Sequence, residues 1–455
     1  MSVSGNVLAQ TPPAAPDPAQ PAQPATPPSD QPGTAANPAT PPTPGPPPVA
    51  AQPPMVAPPG PPATAYPTMA GPALKLSNLF TWRPGVFLQL WANFTQDAAK
   101  QPNGDSGSFT KNFYARRSRF FIGGTIGSNV SYFMLWETAN LGAPLANADF
   151  TTNKQFTTFA FNDAYVDFKL NSMLSIQAGL MLIPFTRNIL QSTSTYWALD
   201  VGAVSATYIT ATQTSTLRDT GVQVKVNAAD NHFELRGMAS EGVRQGDNTP
   251  ATGAPARGAG KNDPRLTAFA QYNFLDPDTG YVFNGQYFGR KKILAVAAGA
   301  DYQSIASNPY FATSATVAAA IPLHGGDAKN GDDEFGGQIE YLHFHGGGVA
   351  PGSTVAQTLF KQNAVLVEAG YYNKAGHFSL FGKFEGRFFD TPDGSPLKAN
   401  NSRVYGVGAK YFLAEQIANL TLMYSLTQAP DVSDAAAMLR NDVNAIQLQL
   451  QIGYF

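Results

Sequence analysis

The chain has 455 residues, with 29 Lys and Arg against 31 Asp and Glu, a net charge near −2 and no cysteine. That balance lacks the basic footprint of a nucleic-acid binder, and the absence of cysteine suits passage through an oxidising compartment. No stretch approaches the roughly 18 consecutive apolar residues of a transmembrane helix, which excludes a helical membrane protein but not a barrel that shows lipid only alternate residues.

Residues 1–10 (MSVSGNVLAQ) lack the basic start and apolar core of an intact signal peptide, although Val7-Leu8-Ala9-Gln10 resembles the tail of one around its cleavage site. Residues 11–72 are dominated by Pro, Ala, Gln and Thr and hold most of the chain's prolines. Such a composition cannot bury enough apolar surface to offset its ordering entropy. The expected organisation is a disordered Pro/Ala-rich periplasmic arm over residues 1–75, a linker or a spacer reaching the cell wall, and a β-barrel over residues 80–455.

From Phe80 onward amphipathic strands follow one another. Residues 86–95 place Val86, Leu88, Leu90, Ala92 and Phe94 on one face and Gln89, Asn93 and Thr95 on the other, the period of two that marks a strand. A second strand covers about 113–126, turns at Gly127-Ser128-Asn129 and returns from Val130. Residues 161–170 alternate Asp163, Tyr165, Asp167 and Lys169 with Ala164, Val166, Phe168 and Leu170, then turn at Asn171-Ser172 into residues 174–183. Further strands are predicted to begin near Thr220, Phe233, Arg265, Lys292, Thr313, Gly336, Asn363, Gly376, Arg403, Ile417 and Asp442. The last reads NAIQLQLQIGYF, with Ile446, Leu448, Leu450, Ile452 and Tyr454 alternating with Gln447, Gln449, Gln451 and Gly453. Together they predict an all-β transmembrane antiparallel barrel of about 16 strands, an even number as such barrels require.

The connections support this. Tight ones at 127–129, 171–172, 227–231, 373–376 and 414–416 alternate with longer ones near 97–111, 140–158, 184–218, 241–264, 346–361 and 390–401, as short periplasmic turns alternate with external loops. Two connections on the periplasmic side, 275–291 and 322–335, are longer than expected and could conceal a misassigned strand. Strands running toward the periplasm end on aromatics: Phe168, Tyr272 and Phe274, Tyr371 and Tyr372, Tyr411 and Phe412, Tyr454 and Phe455. These are expected to form an interfacial belt.

Parity with the apolar face assigns pore-lining side chains. Arg117 and Arg119 face inward because Phe120, Ile122 and Ile126 face out. The same rule places Lys225, Arg236, Arg265, Lys383 and Arg387 in the lumen, together with Asp163, Asp167, Glu234, Glu340, Glu368 and Glu385. Two readings of the Arg117/Arg119 pair stand: guidance of anions, or salt bridges to the lumen carboxylates. Arg116 takes outward parity near the outer rim, where it would meet lipid phosphates or another subunit.

Other constellations dissolve. The Asp219-Thr220-Gly221 and Asp278-Thr279-Gly280 triplets have the wrong flanks for a protease dyad and read as a strand start and a turn. His343 and His345 lack a third ligand, and DAKNGDDE (327–334) lacks the full spacing of an EF-hand. No catalytic residue, metal site or cofactor is predicted.

Four segments resemble the phosphate-selective porin O and P family: FYARRSRFFIGGTIGSNVSYFML (113–135), NDAYVDFKLNSMLSIQAGLMLIPFTRN (162–188), RDTGVQVKV (218–226) and FNGQYFGRKKILAVAAGADYQ (283–303). The resemblance covers most of residues 80–455 and none of the arm. It implies a trimeric sixteen-stranded outer-membrane pore with a cationic lumen and a constricting third external loop, here 184–218, whose main interior charge would be Arg187. The expected function is passive diffusion of small hydrophilic solutes across a bacterial outer membrane, with a weak anion or phosphate preference. The partners would be membrane lipid and lipopolysaccharide, small anions, two further copies of the chain and, through the arm, the cell wall. The alternative is a structural or wall-anchoring barrel with a plugged lumen; an outer-membrane hydrolase using Asp219 is the weaker rival.

Overall fold

A computed structural model of the chain describes residues 74–77, 79–96, 108–143, 159–205, 217–242, 263–305, 308–326, 328–346, 361–390, 401–428 and 442–454. The expected arm lies outside them but for its last two residues, as do Phe455 and most of the longer external connections. Among the described residues no helix is long and apolar enough to cross a membrane.

The strands are β1 (Leu74–Lys75), β2 (Thr81–Gln96), β3 (Phe109–Ile126), β4 (Val130–Leu141), β5 (Ala160–Lys169), β6 (Leu174–Leu182), β7 (Arg218–Ala228), β8 (Phe233–Ser240), β9 (Arg265–Asn273), β10 (Ile293–Ile305), β11 (Asn308–Pro322), β12 (Glu334–Gly346), β13 (Gln362–Asn373), β14 (Phe378–Phe389), β15 (Ser402–Ala414), β16 (Ala418–Gln428) and β17 (Val443–Tyr454). β1 is a short addition to β2. The other 16 pair antiparallel, each with the next, and β17 returns to β2 to close the barrel. Closure leaves no edge, so every ladder hydrogen bond is satisfied within the wall, the condition for a sheet in hydrocarbon.

The last strand shows how sequence becomes wall. Ile446, Leu448, Ile452 and Tyr454 are exposed on the outer face, while Gln449 and Gln451 are buried on the inner one. There Gln89 Nε2 donates to Gln451 Oε1 at 2.9 Å and Trp91 Nε1 to Gln449 Oε1 at 2.7 Å, sealing the seam between the chain's first and last long strands. The same outward apolar face recurs in Val222, Leu266, Val317, Ile339, Val407 and Leu422. Such a continuous apolar band needs lipid against it.

Strand onsets fall close to those read from the sequence. Parity is broken in three places by bulges, where an extra residue on one strand opposes none on its partner; one is at the end of β15, where Phe412 pairs with Asn419 and Ala414 with Ala418, so Leu413 is the extra residue. Gln89 pairs with Arg117 and Leu90 with Ala115, so Arg116 is the extra residue of β3. Leu135 pairs with Asp163 and Trp136 with Phe161, so Asn162 is the extra residue of β5. Neither long periplasmic connection conceals a strand among its described residues.

Among the described residues, one connection enters the barrel from each end. After β6, Pro184 has no N–H for the ladder, and residues 183–205 run into the lumen, burying Ile183, Phe185, Ile189, Leu190, Trp197 and Leu199. On the periplasmic side Phe274 N donates to Leu294 O at 2.8 Å and Asp276 N to Lys292 O at 2.8 Å. These bonds hold the neck of a loop whose middle, Tyr281, Phe283, Tyr287 and Phe288, is buried inside the wall.

Candidate functional site in the lumen

The wall grips the outer inserted segment from nearly every side, mostly through its backbone. Glu340 on β12 accepts from Asn188 N at 3.1 Å and from Ser205 Oγ at 2.7 Å, and Glu385 on β14 accepts from Val204 N at 3.0 Å. Lys410 on β15 donates to Tyr196 O at 2.6 Å, Gln451 on β17 to Ser194 O at 3.1 Å, and Ser314 on β11 to Phe185 O at 2.7 Å. Arg119 on β3 donates to Thr193 Oγ1 at 2.7 Å. Two glycines make the seat for Trp197: a Cβ on Gly370 would lie 2.3 Å from its ring and one on Gly336 2.9 Å.

At the segment's tip, Asp200 takes Arg116 Nη2 at 2.8 Å and also receives Arg117 Nη2. Burial alone would raise the Asp200 carboxyl, but Arg117 and then Arg116 hold it well below the usual carboxylate range. Arg116 therefore departs from the outward position that parity assigns it. The bulge turns it into the lumen, where its guanidinium also lies over the Trp91 ring at 5.5 Å.

The periplasmic insertion has its own clamps. Glu334 on β12 accepts from Gly289 N at 2.8 Å and Tyr287 N at 3.1 Å, and Arg236 donates to Tyr281 O and Gly280 O at 2.8 and 2.7 Å. Tyr281 OH donates to Asp163 at 2.7 Å and accepts from Leu182 N at 2.8 Å. Phe288 meets Tyr372 and Phe412 edge-on, with centroids 5.1 and 5.2 Å away. This corrects the belt expected at the strand ends. Phe168, Tyr272, Phe274, Tyr411 and Tyr454 are exposed on the outside, but Tyr372 and Phe412 are buried inside. Neighbouring residues of a strand point to opposite faces, so an adjacent aromatic pair supplies one ring to the belt and one to the lumen.

The two insertions meet. Phe283 N donates to Leu190 O at 2.7 Å and Ser192 N to Phe283 O at 2.7 Å, a single parallel bridge between Gln191 and Phe283. Gln286 N continues the contact to Thr195 O at 3.1 Å. At Gly285 an added Cβ would stand 2.5 Å from Thr195 O, so only glycine allows this approach.

Every side chain assigned inward by parity points inward, and nearly every cation among them has a carboxylate. Arg119 meets Glu137 at 2.9 Å, and Arg117, besides Asp200, reaches Glu137 at 3.9 Å and Gln89 Oε1 at 2.7 Å. Lys225 and Arg236 share Glu234 at 2.9 and 2.6 Å, and Arg265 meets Asp301 at 2.8 Å. Lys383 bridges Glu385 at 2.5 Å and Glu368 at 3.8 Å. Asp163 holds Arg218 at 3.0 Å, and Asp167 accepts from Gln177 at 3.0 Å. Arg187 sits within the plug, against Asp278 at 3.0 Å. Arg387 differs: its Nε donates to Gln362 Oε1 at 2.6 Å and its guanidinium lies over Phe389 at 4.6 Å, but among the described residues its Nη2 has no partner.

Asp200, Asp278, Glu334, Lys410 and Trp197 escape parity reasoning or gain their roles from segments it does not cover. The two Asp-Thr-Gly triplets do not come together: Asp219 accepts from Ser240 Oγ and Gly242 N at 2.8 Å each, whereas Asp278 belongs to Arg187. The acidic stretch before β12 is spent on its own turn, Asp332 accepting from His324 N at 2.7 Å and Asp333 from Tyr371 OH at 2.6 Å. Among the described residues no cluster of His, Asp and Glu could hold a metal.

The profile of the family described as phosphate-selective porin O and P matches residues 86–454. Among solved structures, the outer membrane channel DcaP of Acinetobacter baumannii superposes with a TM-score of 0.50 at 14% identity, over 84% of this chain and 99% of that one. The anion-selective porin from Comamonas acidovorans gives 0.49 at 11%, over 82% and 100%. The outer-membrane expressed OmpT of Vibrio cholerae gives 0.49 at 10%, over 84% and 100%. At 14% identity the likeness to DcaP speaks for the fold alone. No curated protein sequence matches the chain.

Proposed function

Since the chain belongs to the phosphate-selective porin O and P family and is an outer-membrane porin for small hydrophilic solutes, we propose that its selectivity is a weak anion preference set at the outer half of the lumen. The observation that carries this is Arg387, near the outer end of β14, which among the described residues has an unpartnered Nη2 and no carboxylate against it. The charges deeper in the lumen are drawn into ion pairs, which act mainly as a transverse field that orients solutes. One uncompensated guanidinium adds positive potential along the path and draws anions to it. That path follows the inner positions left partly exposed beside the plug: Asn93 and Tyr114 on β2 and β3, Ser425 and Gln447 on β16 and β17.

The test is the reversal potential across a KCl gradient in a planar bilayer, repeated in phosphate. Wild type is expected to favour chloride, and Arg387→Gln to lose most of that preference at unchanged conductance. Equal reversal potentials for the two would remove Arg387 from the selectivity. Arg117→Ala and Arg119→Ala, whose guanidiniums are engaged by Asp200 and Glu137, are expected to change conductance more than selectivity.

A second reading, a structural barrel, is favoured by the wall contacts that the two insertions make on opposing sides. No conductance step under any voltage, from protein whose folding is established, would select it. We further propose a homotrimer, checked by the mass of the detergent-solubilised particle. The Pro/Ala-rich arm we propose as a spacer to the cell wall, checked by loss of wall co-sedimentation when residues 1–72 are deleted.

A further inference from the structure

The partly exposed inner positions beside the plug do not continue to the periplasm. Asn93, Ser425 and Gln447 lie open toward the outside, but below them on the same strands Gln89, Asn419, Thr421, Gln449 and Gln451 are buried. Among the described residues the lumen beneath this mouth is therefore shut, and a porin so shut conducts only when part of its plug moves.

The buried column suits water. Its side chains are amides and a hydroxyl, all uncharged, and they satisfy one another or the wall. Gln89 Nε2 donates to Gln451 Oε1 at 2.9 Å, Thr421 Oγ1 to Asn419 Oδ1 at 3.4 Å and Asn419 Nδ2 to Glu415 O at 3.3 Å. Among the described residues only Gln451 reaches the plug, its Nε2 donating to Ser194 O at 3.1 Å and also to Gln416 O at 2.6 Å. Withdrawing the plug strands no polar group of the column, because water replaces the bond that is lost.

The outer inserted segment itself falls into two parts. Ile183, Phe185, Ile189 and Leu190 pack with Leu342 and Leu366 of β12 and β13 in one apolar cluster. Trp197, Ala198 and Leu199 belong to another, with Phe381, Phe412 and Met423 of β14 to β16. Glu340 and Ser314 hold the first part, and Gly202 N donates to Asn188 Oδ1 at 2.8 Å, closing a neck behind the residues between them. Ser192-Thr193-Ser194-Thr195 joins the two parts without an apolar side chain to bury. The second part is fastened at Ser194 O by Gln451, at Thr195 O by Gln286, at Tyr196 O by Lys410 and at Asp200 by Arg116 and Arg117. Apart from the seat of Trp197, these are polar contacts that water can take over.

We propose that residues 193–200 are the gate of the pore, and that solutes pass down the column from Ser425 and Gln447, past Thr421 and Gln449, while residues 183–190 stay on the wall. The proposal rests on the porin reading and takes the partly exposed mouth described above as its entrance.

The chain has no cysteine, so introduced thiols stand alone. Ser194→Cys/Gln451→Cys ties the gate to the column, and Gln191→Cys/Gln338→Cys ties the anchored part to β12, where the two amides lie 3.1 Å apart. Each full-length variant is recorded in a planar bilayer before and after a short bis-methanethiosulfonate linker, then with reductant. Linking 194 to 451 is expected to abolish the conductance steps, with reductant restoring them; linking 191 to 338 is expected to leave that variant's own conductance unchanged. Equal conductance before and after the 194–451 link overturns the proposal. Loss with both links overturns it too, since the plug then moves as one body. If either pair fails to fold, as judged by heat-modifiable migration on a gel, the single variants Thr421→Cys and Thr316→Cys decide. A small charged methanethiosulfonate is expected to block the first, which lies beneath the gate, and not the second, which is buried beside Glu340 under the anchored part; any other pattern overturns the proposal. Absence of steps before linking would remove the porin reading itself, and the reversal potential of Arg387→Gln is read on unlinked protein, so each reading can fail without being mistaken for another.

Discussion

The wall and the segments inside it are built by different physics. Each wall strand is specified by a two-residue period that needs only lipid on one side and polar or packed residues on the other. Hydrogen bonds along its ladder are supplied by neighbours of the same kind. The inserted segments have no period. They are placed by particular groups on many strands reaching their backbone, such as Glu340 to Asn188, Glu334 to Gly289 and Lys410 to Tyr196. The wall is thus redundant and tolerant, while the plug is held by a small number of specific seats. A single change should release the plug and leave the barrel standing.

The seat of Trp197 is the sharpest place to break that contrast. Gly370→Val drives a side chain into the ring, and losing the burial of a tryptophan costs about 3–5 kcal/mol. The barrel is expected to remain heat-modifiable, while single-channel conductance rises as residues 183–205 leave the lumen. Unchanged conductance with normal folding would show that the plug holds without this seat.

Leu448→Arg attacks the wall instead. Leu448 lies mid-strand on the exposed face of β17, where a charge facing the bilayer midplane costs roughly 2–4 kcal/mol. The expected effect is a lower urea midpoint for folding into vesicles, with conductance per folded molecule unchanged. A conductance change as large as that of Gly370→Val would mean that wall and plug are not separable.

Asp200→Asn removes the charge that receives Arg116 and Arg117. Hydrogen bonds to charged groups contribute about 1.5–3 kcal/mol each, so flicker of the open channel is expected to rise tenfold or more. The pH dependence follows from the depressed Asp200 carboxyl. A group whose folded pKa lies below its unfolded value contributes fully above the unfolded value and is lost as pH falls through the folded one. The difference between wild type and variant should therefore stay constant from about pH 8 to about pH 5 and shrink only in stronger acid. Recordings at both ends of that range check it.

How much of this was legible follows the same division. Strand positions, the inward set from Arg117 to Arg387 and the closing strand could be read because period two acts locally. The bulge at Arg116 could not, since one inserted residue reverses parity without leaving a compositional trace. Tyr372 and Phe412 escape the reading for a related reason: a pair of rings at a strand end looks like a unit in the sequence, although alternation separates them. The lengths of 184–218 and 275–291 signalled that something other than a turn was present. That these segments meet at Phe283 depends on contacts between residues about ninety apart, which no local pattern encodes. The partnering of lumen cations was visible only as an alternative, because parity gives the face of a residue but not its neighbour across the lumen.

The smallest effect probes where the plug leaves the wall. Arg290, at the exit of the periplasmic insertion, meets Glu415 of the β15–β16 turn at 2.6 Å, with both side chains about one-third exposed. Exposed pairs contribute up to about 1 kcal/mol and weaken with salt. Arg290→Gln is accordingly expected to leave conductance and urea midpoint nearly unchanged, with any small difference gone in molar salt. If the variant instead opened the channel as Gly370→Val is expected to, the insertion would be retained by its neck and not by Glu334, Phe288 and the contact with the outer segment. Glu334 accepts two backbone N–H groups from a buried position, and Phe288 is enclosed by two rings, so the interior contacts should hold the segment when the surface pair is gone.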